Sequence, residues 1–280
     1  MRFAISYQPA LHGTDPDHLA AYARHAEACG FEGLYLPEHV VMNPGTRYGT
    51  MELPPTTPFL DPVDCLAFVA GVTDRLLLGT GVLLLPYHHP VTLAKRLATV
   101  DVLSRGRLRL LTVGVGALPG EAAAVGVDFT TRGRRTDEAI DVLRLLWSGG
   151  PVSFDGEFFQ FKDVCSFPRP LAEVPIHIGG SSTAAARRAG LRGDGYFAGG
   201  ALAPDERARQ LAVAHETATE AGRDPAAIEY TRWGSIDMPE SAIEALAAQG
   251  VTRVVVSASS PDPAEQRDQL SAFAERFGLS

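Results

Sequence analysis

The scarcities of this 280-residue sequence narrow its chemistry before any pattern does. Only two lysines, Lys95 and Lys162, stand among its 25 basic residues. A Schiff-base aldolase needs a lysine on an interior strand, and these two fall in a helical stretch and a hairpin, so that mechanism lacks its nucleophile. Three cysteines, Cys29, Cys65 and Cys165, lie far apart without a Cys-x-x-Cys spacing, which encodes neither a disulfide framework nor a zinc site. The eight histidines include no His-x-His and no His-Glu-x-x-His, so metal dependence is not expected. Gly-x-Ser-x-Gly and the Gly-x-x-x-x-Gly-Lys phosphate loop are missing too, which removes serine hydrolysis and nucleotide triphosphate turnover. No apolar run approaches the roughly 20 residues of a membrane span, and Arg2 to Tyr7 reads as a strand rather than a signal peptide. The expectation is a cytoplasmic protein. Excess acid, a net charge of −8, leaves no footprint for nucleic acid or an anionic membrane, so the expected partner is a small, uncharged to mildly polar molecule.

What is present is an ordinary globular composition, 45% apolar and 21% charged, enough for a full core. Apolar, β-branched runs alternate with longer segments of three-to-four-residue periodicity, the signature of a parallel sheet with helical crossovers. Strands are predicted at Phe3–Tyr7, Gly33–Leu36, Leu76–Leu85, Leu108–Val113, Pro175–Ile178, Gly195–Ala198, Ile228–Trp233 and Val251–Val256. Helices are predicted at Pro16–Cys29, from Asp61-Pro62, at Val91–Ser104, Arg134–Trp147, from Ser181, and at Pro204–Ala221, Pro239–Gln249 and Pro263–Phe277. Eight of each predict an α/β protein, a closed (β/α)8 TIM barrel spanning residues 1–280 as a single domain. Period-two alternation around Asp155-Gly156 adds a short hairpin between Gly150 and Lys162, before strand five. An open doubly wound sheet is the structural alternative.

Barrel chemistry sits where strands end at their C-terminal edge, so the loops there carry the candidates. After strand two, Glu38 and His39 form a candidate acid–base pair, the carboxylate raising the basicity of the imidazole. In strand three, Thr80-Gly81-Val82 places glycines mid-strand, which marks either a bulge against a flat ligand or a kink that tapers the barrel. Gly114 and Gly116 likewise bare the mouth after strand four. Gly179-Gly180-Ser181 joins strand five to a helix; such a turn either binds an anion at the helix N-terminus or is a capped turn without a ligand. His177 reads as an interior histidine of strand five and is grouped with the candidate cofactor-binding residues. Tyr87, His88 and His89 border the mouth. Glu121, Arg132, Arg134, Arg135 and Glu138 read as an ion-pair network, and Arg187 and Arg188 as solvated helix charges.

Together these segments resemble the luciferase-like monooxygenase superfamily, most closely its branch using the deazaflavin coenzyme F420. The markers are Pro37-Glu38-His39-Val40, Leu60-Asp61-Pro62, RLLLGTGVLLLPYHHP from Arg75, Leu93 to Asp101 with Leu103 to Arg107, Val113 to Gly116, RGRRTDEAIDVLRLLW from Arg132, and Ile176 to Gly180. Asp194-Gly195 and Gly250 to Val256 are shared more loosely. The resemblance implies a cis peptide at Gly81–Val82 against the central ring of a flavin-like cofactor, phosphate contacts from Gly179 and Gly180, and His39 beside the hydride-transfer carbon. It implies a homodimeric oxidoreductase moving a hydride to or from a small organic substrate with F420. The alternatives are an oxygen-using monooxygenase with reduced FMN and a non-catalytic flavin-binding barrel. Relatives that oxidise sugar phosphates carry an acid directly after the strand-four glycines, where this chain has Ala117-Leu118-Pro119.

Overall fold

A computed structural model describes residues 1–48, 51–200 and 202–279. Eight parallel strands close into a barrel: β1 (Arg2–Ser6), β2 (Gly33–Leu36), β3 (Leu77–Leu84), β4 (Leu108–Gly114), β5 (Ile176–Gly179), β6 (Gly195–Phe197), β7 (Glu229–Trp233) and β8 (Arg253–Val256). The strands follow chain order around the barrel, and β8 returns to pair with β1, Arg2 opposite Arg253. The doubly wound alternative is thereby excluded.

The outer ring consists of α1 (Pro16–Ala28), α2 (Pro62–Val72), α3 (Pro90–Leu103), α4 (Arg132–Trp147), α5 (Thr183–Arg192), α6 (Pro204–Glu220), α7 (Glu240–Ala248) and α8 (Pro263–Phe277). Three of them start on the same local device. Asp15, Asp61 and Asp262 each accept two backbone N–H groups of the first turn, and the following proline fixes φ for helix entry. Helix α5 starts at Thr183, two residues later than expected, and the Ser182 hydroxyl caps it through the Ala185 N–H. The expected hairpin before β5 is present, Val152–Asp155 paired with Gln160–Val164. A two-residue hairpin, Arg47–Tyr48 with Met51–Glu52, and a short helix, Pro119–Ala124, lie in loops after β2 and β4 that the periodicity left unstructured. Among the described residues no helix is long and apolar enough to cross a membrane.

Two apolar cores result. One packs the outward strand faces against the helices; the other fills the barrel with Ala4, Tyr35, Leu110, Phe197 and Val255, flanked by Leu77 and Trp233. Gly79 belongs to this interior packing, since a β-carbon there would come within 2.5 Å of the Leu110 β-carbon. The interior is therefore a packed plug below an open rim, and ligand chemistry is confined to that rim.

Candidate active site

The two predicted catalytic residues part company in the structure. Glu38 is 5% exposed, and its carboxylate accepts the Leu84 N–H at 2.5 Å and faces His88 Nε2 at 2.8 Å. With its own N–H donated to the Val82 carbonyl, Glu38 is a clamp on the end of β3. Both carboxylate oxygens are spent on the chain itself, so it is not the partner of His39.

That partner is Glu121. Its carboxylate, fully buried on the short helix after β4, lies 3.2 and 3.3 Å from His39 Nδ1 and accepts the Val40 N–H at 2.6 Å. A carboxylate only accepts, so this contact places a proton on Nδ1 and leaves Nε2 to exchange one. The Phe59 ring meets the imidazole edge-on at 4.7 Å, fixing its plane from the other side. The expected ion-pair network around Glu121 does not form: Arg132 donates to the Gly116 and Phe129 carbonyls, Arg135 to the Pro86 carbonyl, and Arg134 pairs with Glu157. Glu138 instead accepts backbone N–H groups of the hairpin turn.

At the middle of the rim the Gly81–Val82 peptide is cis, and the pairing register of β3 with β4 shifts there. The bulge throws the Val82 side chain across β4 and β5. A β-carbon on Gly114 would sit 2.6 Å from Val82 Cγ2, and one on Gly179 would collide with Cγ1. Tyr87 fills the space above Gly116 in the same manner. These three glycines therefore make room for the chain's own side chains, where the sequence reading assigned that room to a ligand. Thr80 is likewise absorbed into the sheet, its hydroxyl donating to the Thr112 carbonyl at 2.7 Å and accepting the Thr112 N–H at 3.1 Å. Gly81 is backed by the barrel plug: a β-carbon there would lie 3.4 Å from both the Trp233 and the Tyr35 rings.

His177 leaves the site altogether. It lies two residues below Gly179 and points into the N-terminal layer of the barrel, with Nε2 3.6 Å from Glu229 and close to Arg253. Burial first, and then the Arg253 charge, lower its pKa to about 4. A neutral histidine sealed at the opposite end touches nothing at the mouth. Arg188 is no solvated charge either; it is buried and bonded to Asp137 of α4.

On the β5–β6 side, Gly180 adopts φ +123°, and its N–H is already donated to the Phe197 carbonyl. Donors for an anion therefore begin at Ser181, among the N–H groups that any helix start leaves unpaired. The Ser181 carbonyl is held by Gln210 at 2.7 Å, which fixes the turn from behind. The neighbouring strand ends in a second doublet, Gly199-Gly200, that sequence reasoning passed over; its signal was the repetition of Gly-Gly at the end of the next strand. Trp233 and Phe59 were also missed as walls of the site, although Trp233 ends strand seven, where mouth residues belong.

The luciferase-like monooxygenase family model matches residues 1–274. The chain belongs to that family. Within it, an uncharacterised protein of Mycobacterium tuberculosis (strain ATCC 25618 / H37Rv) is 33% identical over 264 residues, covering 91% of this chain and 88% of the relative. An F420-dependent hydroxymycolic acid dehydrogenase of the same organism is 34% identical over 212 residues, covering 75% of this chain and 56% of that protein, so the match spans little more than half of it. Among solved structures, an F420-dependent secondary alcohol dehydrogenase in complex with an F420–acetone adduct superposes with a TM-score of 0.81 at 21% identity, covering 100% of this chain and 99% of that one. At that identity the superposition establishes the luciferase-like barrel alone.

Proposed function

We propose that this luciferase-like barrel is an F420-dependent oxidoreductase that moves a hydride to or from a small organic substrate, with His39 carrying the coupled proton. In this reading residues 1–280 act as one domain, in the cytoplasm and as a homodimer. The observation that carries it is the His39–Glu121 pair, held one residue beyond the Glu38 clamp on the Gly81–Val82 bulge. F420-dependent naming of a relative at 34% identity supports the choice of cofactor.

The residues present suit such a group. Bare backbone at Gly81 and the bulge at Val82 offer a flat edge, and the Gly180-Ser181 turn with the head of α5 offers donors to a phosphate. When bound, the deazaflavin supplies a ring carbon that gives or takes a hydride. The chain's own work is narrower. Glu121 holds the imidazole so that Nε2 serves as base for alcohol oxidation or, protonated, as acid for carbonyl reduction. Trp233, Phe59, Val40 and Val41 line or flank the mouth with apolar surface that limits water.

The test pairs cofactor titration with anaerobic mixing against alcohols and ketones. F420 should bind and change absorbance with a substrate, and His39→Ala should slow that step about 10²–10⁴-fold while F420 affinity holds. Binding of FMN alone would overturn the cofactor assignment. An unimpaired His39→Ala variant would overturn the proton role.

A further inference from the structure

We infer that His88 is a positioning residue for the reaction proposed above: acting through Glu38, it fixes the distance between the end of β3, where the cofactor lies on that reading, and the imidazole of His39. Two histidine–carboxylate pairs flank the segment Glu38-His39-Val40, and they run in opposite senses. On one side the segment supplies the imidazole of His39, and the short helix after β4 supplies Glu121, which also accepts the Val40 N–H at 2.6 Å. On the other side the segment supplies the carboxylate of Glu38, and His88 comes from the loop after β3 to meet it at 2.8 Å. The same carboxylate accepts the Leu84 N–H at 2.5 Å, and the Glu38 N–H reaches the Val82 carbonyl at 3.2 Å. His39 is thus pinned between β3 and the helix after β4.

His88 stands on a fixed post. Its N–H closes the single turn Leu85–Tyr87 on the Leu85 carbonyl at 3.2 Å. Arg135 of α4 donates to the Pro86 carbonyl at 3.0 Å, and the Tyr87 ring occupies the place that a β-carbon on Gly116 would need at the end of β4. His89 then meets Phe159 of the hairpin turn edge-on at 5.5 Å. The turn is tied to three other elements, and the ring of His88 is left for Glu38. An imidazole carried on such a support holds its partner more closely than one on a free loop.

No other side chain takes its place. Among the described residues no lysine or arginine lies within ion-pair distance of Glu38. Arg135, the nearby cation, is spent on the Pro86 carbonyl and the faces of Phe158 and Phe159. A carboxylate only accepts, so the contact places a proton on His88 Nε2, the opposite tautomer to that of His39. Glu38 is 5% exposed, and removing this donor leaves one of its oxygens nearly sealed from water without a hydrogen bond. The side chain then turns toward water, and its hold on the Leu84 N–H slackens. A displacement of about 1 Å in a reacting group costs on the order of 10²-fold in rate.

His88→Phe and His88→Gln separate positioning from packing. Phenylalanine keeps a ring and removes the donor; glutamine places an amide N–H near the position of Nε2. In the cofactor-free protein, hydrogen exchange of the Leu84 amide should rise roughly tenfold in His88→Phe, and the ring nitrogen shifts of His39 should move, with His88→Gln close to wild type. With F420 and an alcohol, single-turnover hydride transfer should slow about 10–100-fold in His88→Phe, F420 affinity should fall by less, and His88→Gln should recover to within about 3-fold of wild type. A His88→Phe variant that loses only melting temperature, or two variants that lose equally, would make His88 a packing residue and overturn the inference. If the wild type neither binds F420 nor oxidises an alcohol, the reading of function fails, and the Leu84 exchange and His39 shifts of the cofactor-free protein still decide whether His88 holds the clamp.

Discussion

At the N-terminal end of the barrel, Arg253 is held between Glu32 at 2.5 Å and Glu229 at 2.7 Å, with Arg2 bonded to both acids from outside. At the C-terminal end, Arg232 has no carboxylate within ion-pair distance among the described residues and donates to the Ala198 and Gly200 carbonyls beside Tyr230, and the buried Glu121 carboxylate leaves His39 an imidazole nitrogen for exchange. Both ends place charge in a low-dielectric interior, where an unmatched ion costs several kcal/mol. Matching at the bottom makes a plug that gains nothing from a ligand. The rim leaves charge and donors unmatched, and there a ligand can complete them. Charge satisfaction, more than the presence of charged residues, separates scaffold from site in this barrel.

Disrupting the bottom should therefore cost stability without touching chemistry. Arg253→Met leaves Glu32 and Glu229 only the half-exposed Arg2 as a partner, and since both acids are partly exposed the loss should fall near the lower limit for a broken buried pair, about 3 kcal/mol. Chemical denaturation checks the value, and turnover per folded molecule should be unchanged. A matching loss of turnover would mean that the two ends are coupled. Glu121→Gln is the complementary change at the rim. The amide still accepts the Val40 N–H but no longer fixes the proton on Nδ1, so hydride transfer should slow about 10–100-fold, as when partners of orienting histidines are removed. Nitrogen chemical shifts of the His39 ring should report a mixed tautomer, and the melting temperature should hardly move. A variant that unfolds while keeping its rate would place Glu121 with the scaffold.

How much of this could be read from the chain depends on the distance over which each interaction acts. The eight strands, the Asp-Pro helix starts at Asp15, Asp61 and Asp262, and the bulge at Gly81 are local patterns, and period and turn chemistry locate them. The pairing of His39 with Glu121 joins residues 82 positions apart on two loops, and no spacing rule links them, so the adjacent Glu38 took the role by default. Gly114 and Gly179 announced an absence of side chains correctly, but whether a ligand or Val82 fills the space is a matter of packing in three dimensions. His177 shares an inward face with Gly179, and the depth of one strand layer sends it to the opposite environment. That much was available from alternation, had height along the strand been weighed with direction.

The pH dependence of stability sharpens the comparison further. His177 is sealed neutral with its pKa lowered to about 4, whereas the unfolded chain takes up its proton near 6.5. Between those values the unfolded state binds more protons, so stability rises with pH there. The penalty is absent above about pH 7 and grows as pH falls, reaching about 2 kcal/mol at pH 5 for a group shifted this far. His177→Gln should flatten the slope by that amount in denaturation curves taken at pH 7 and pH 5, and an unchanged slope would assign it to other groups.

The smallest expected effect tests whether the rim has a scaffold of its own. Thr80 and Thr112 sit at the shift in register between β3 and β4, where the ladder's regular pairing is interrupted beside the bulge. The Thr80 hydroxyl takes over, giving to one backbone group of Thr112 and accepting from the other. Thr80→Val keeps the shape and removes both bonds, leaving a buried N–H and C=O short of partners at a cost of about 1–2 kcal/mol. If Thr80 only stitches the sheet, the loss should appear in the melting temperature, with cofactor affinity following no further than the folded fraction. Should affinity fall tenfold at temperatures where the variant is fully folded, the stitch is holding the bulge in its binding geometry, and the line between scaffold and site runs through β3 itself.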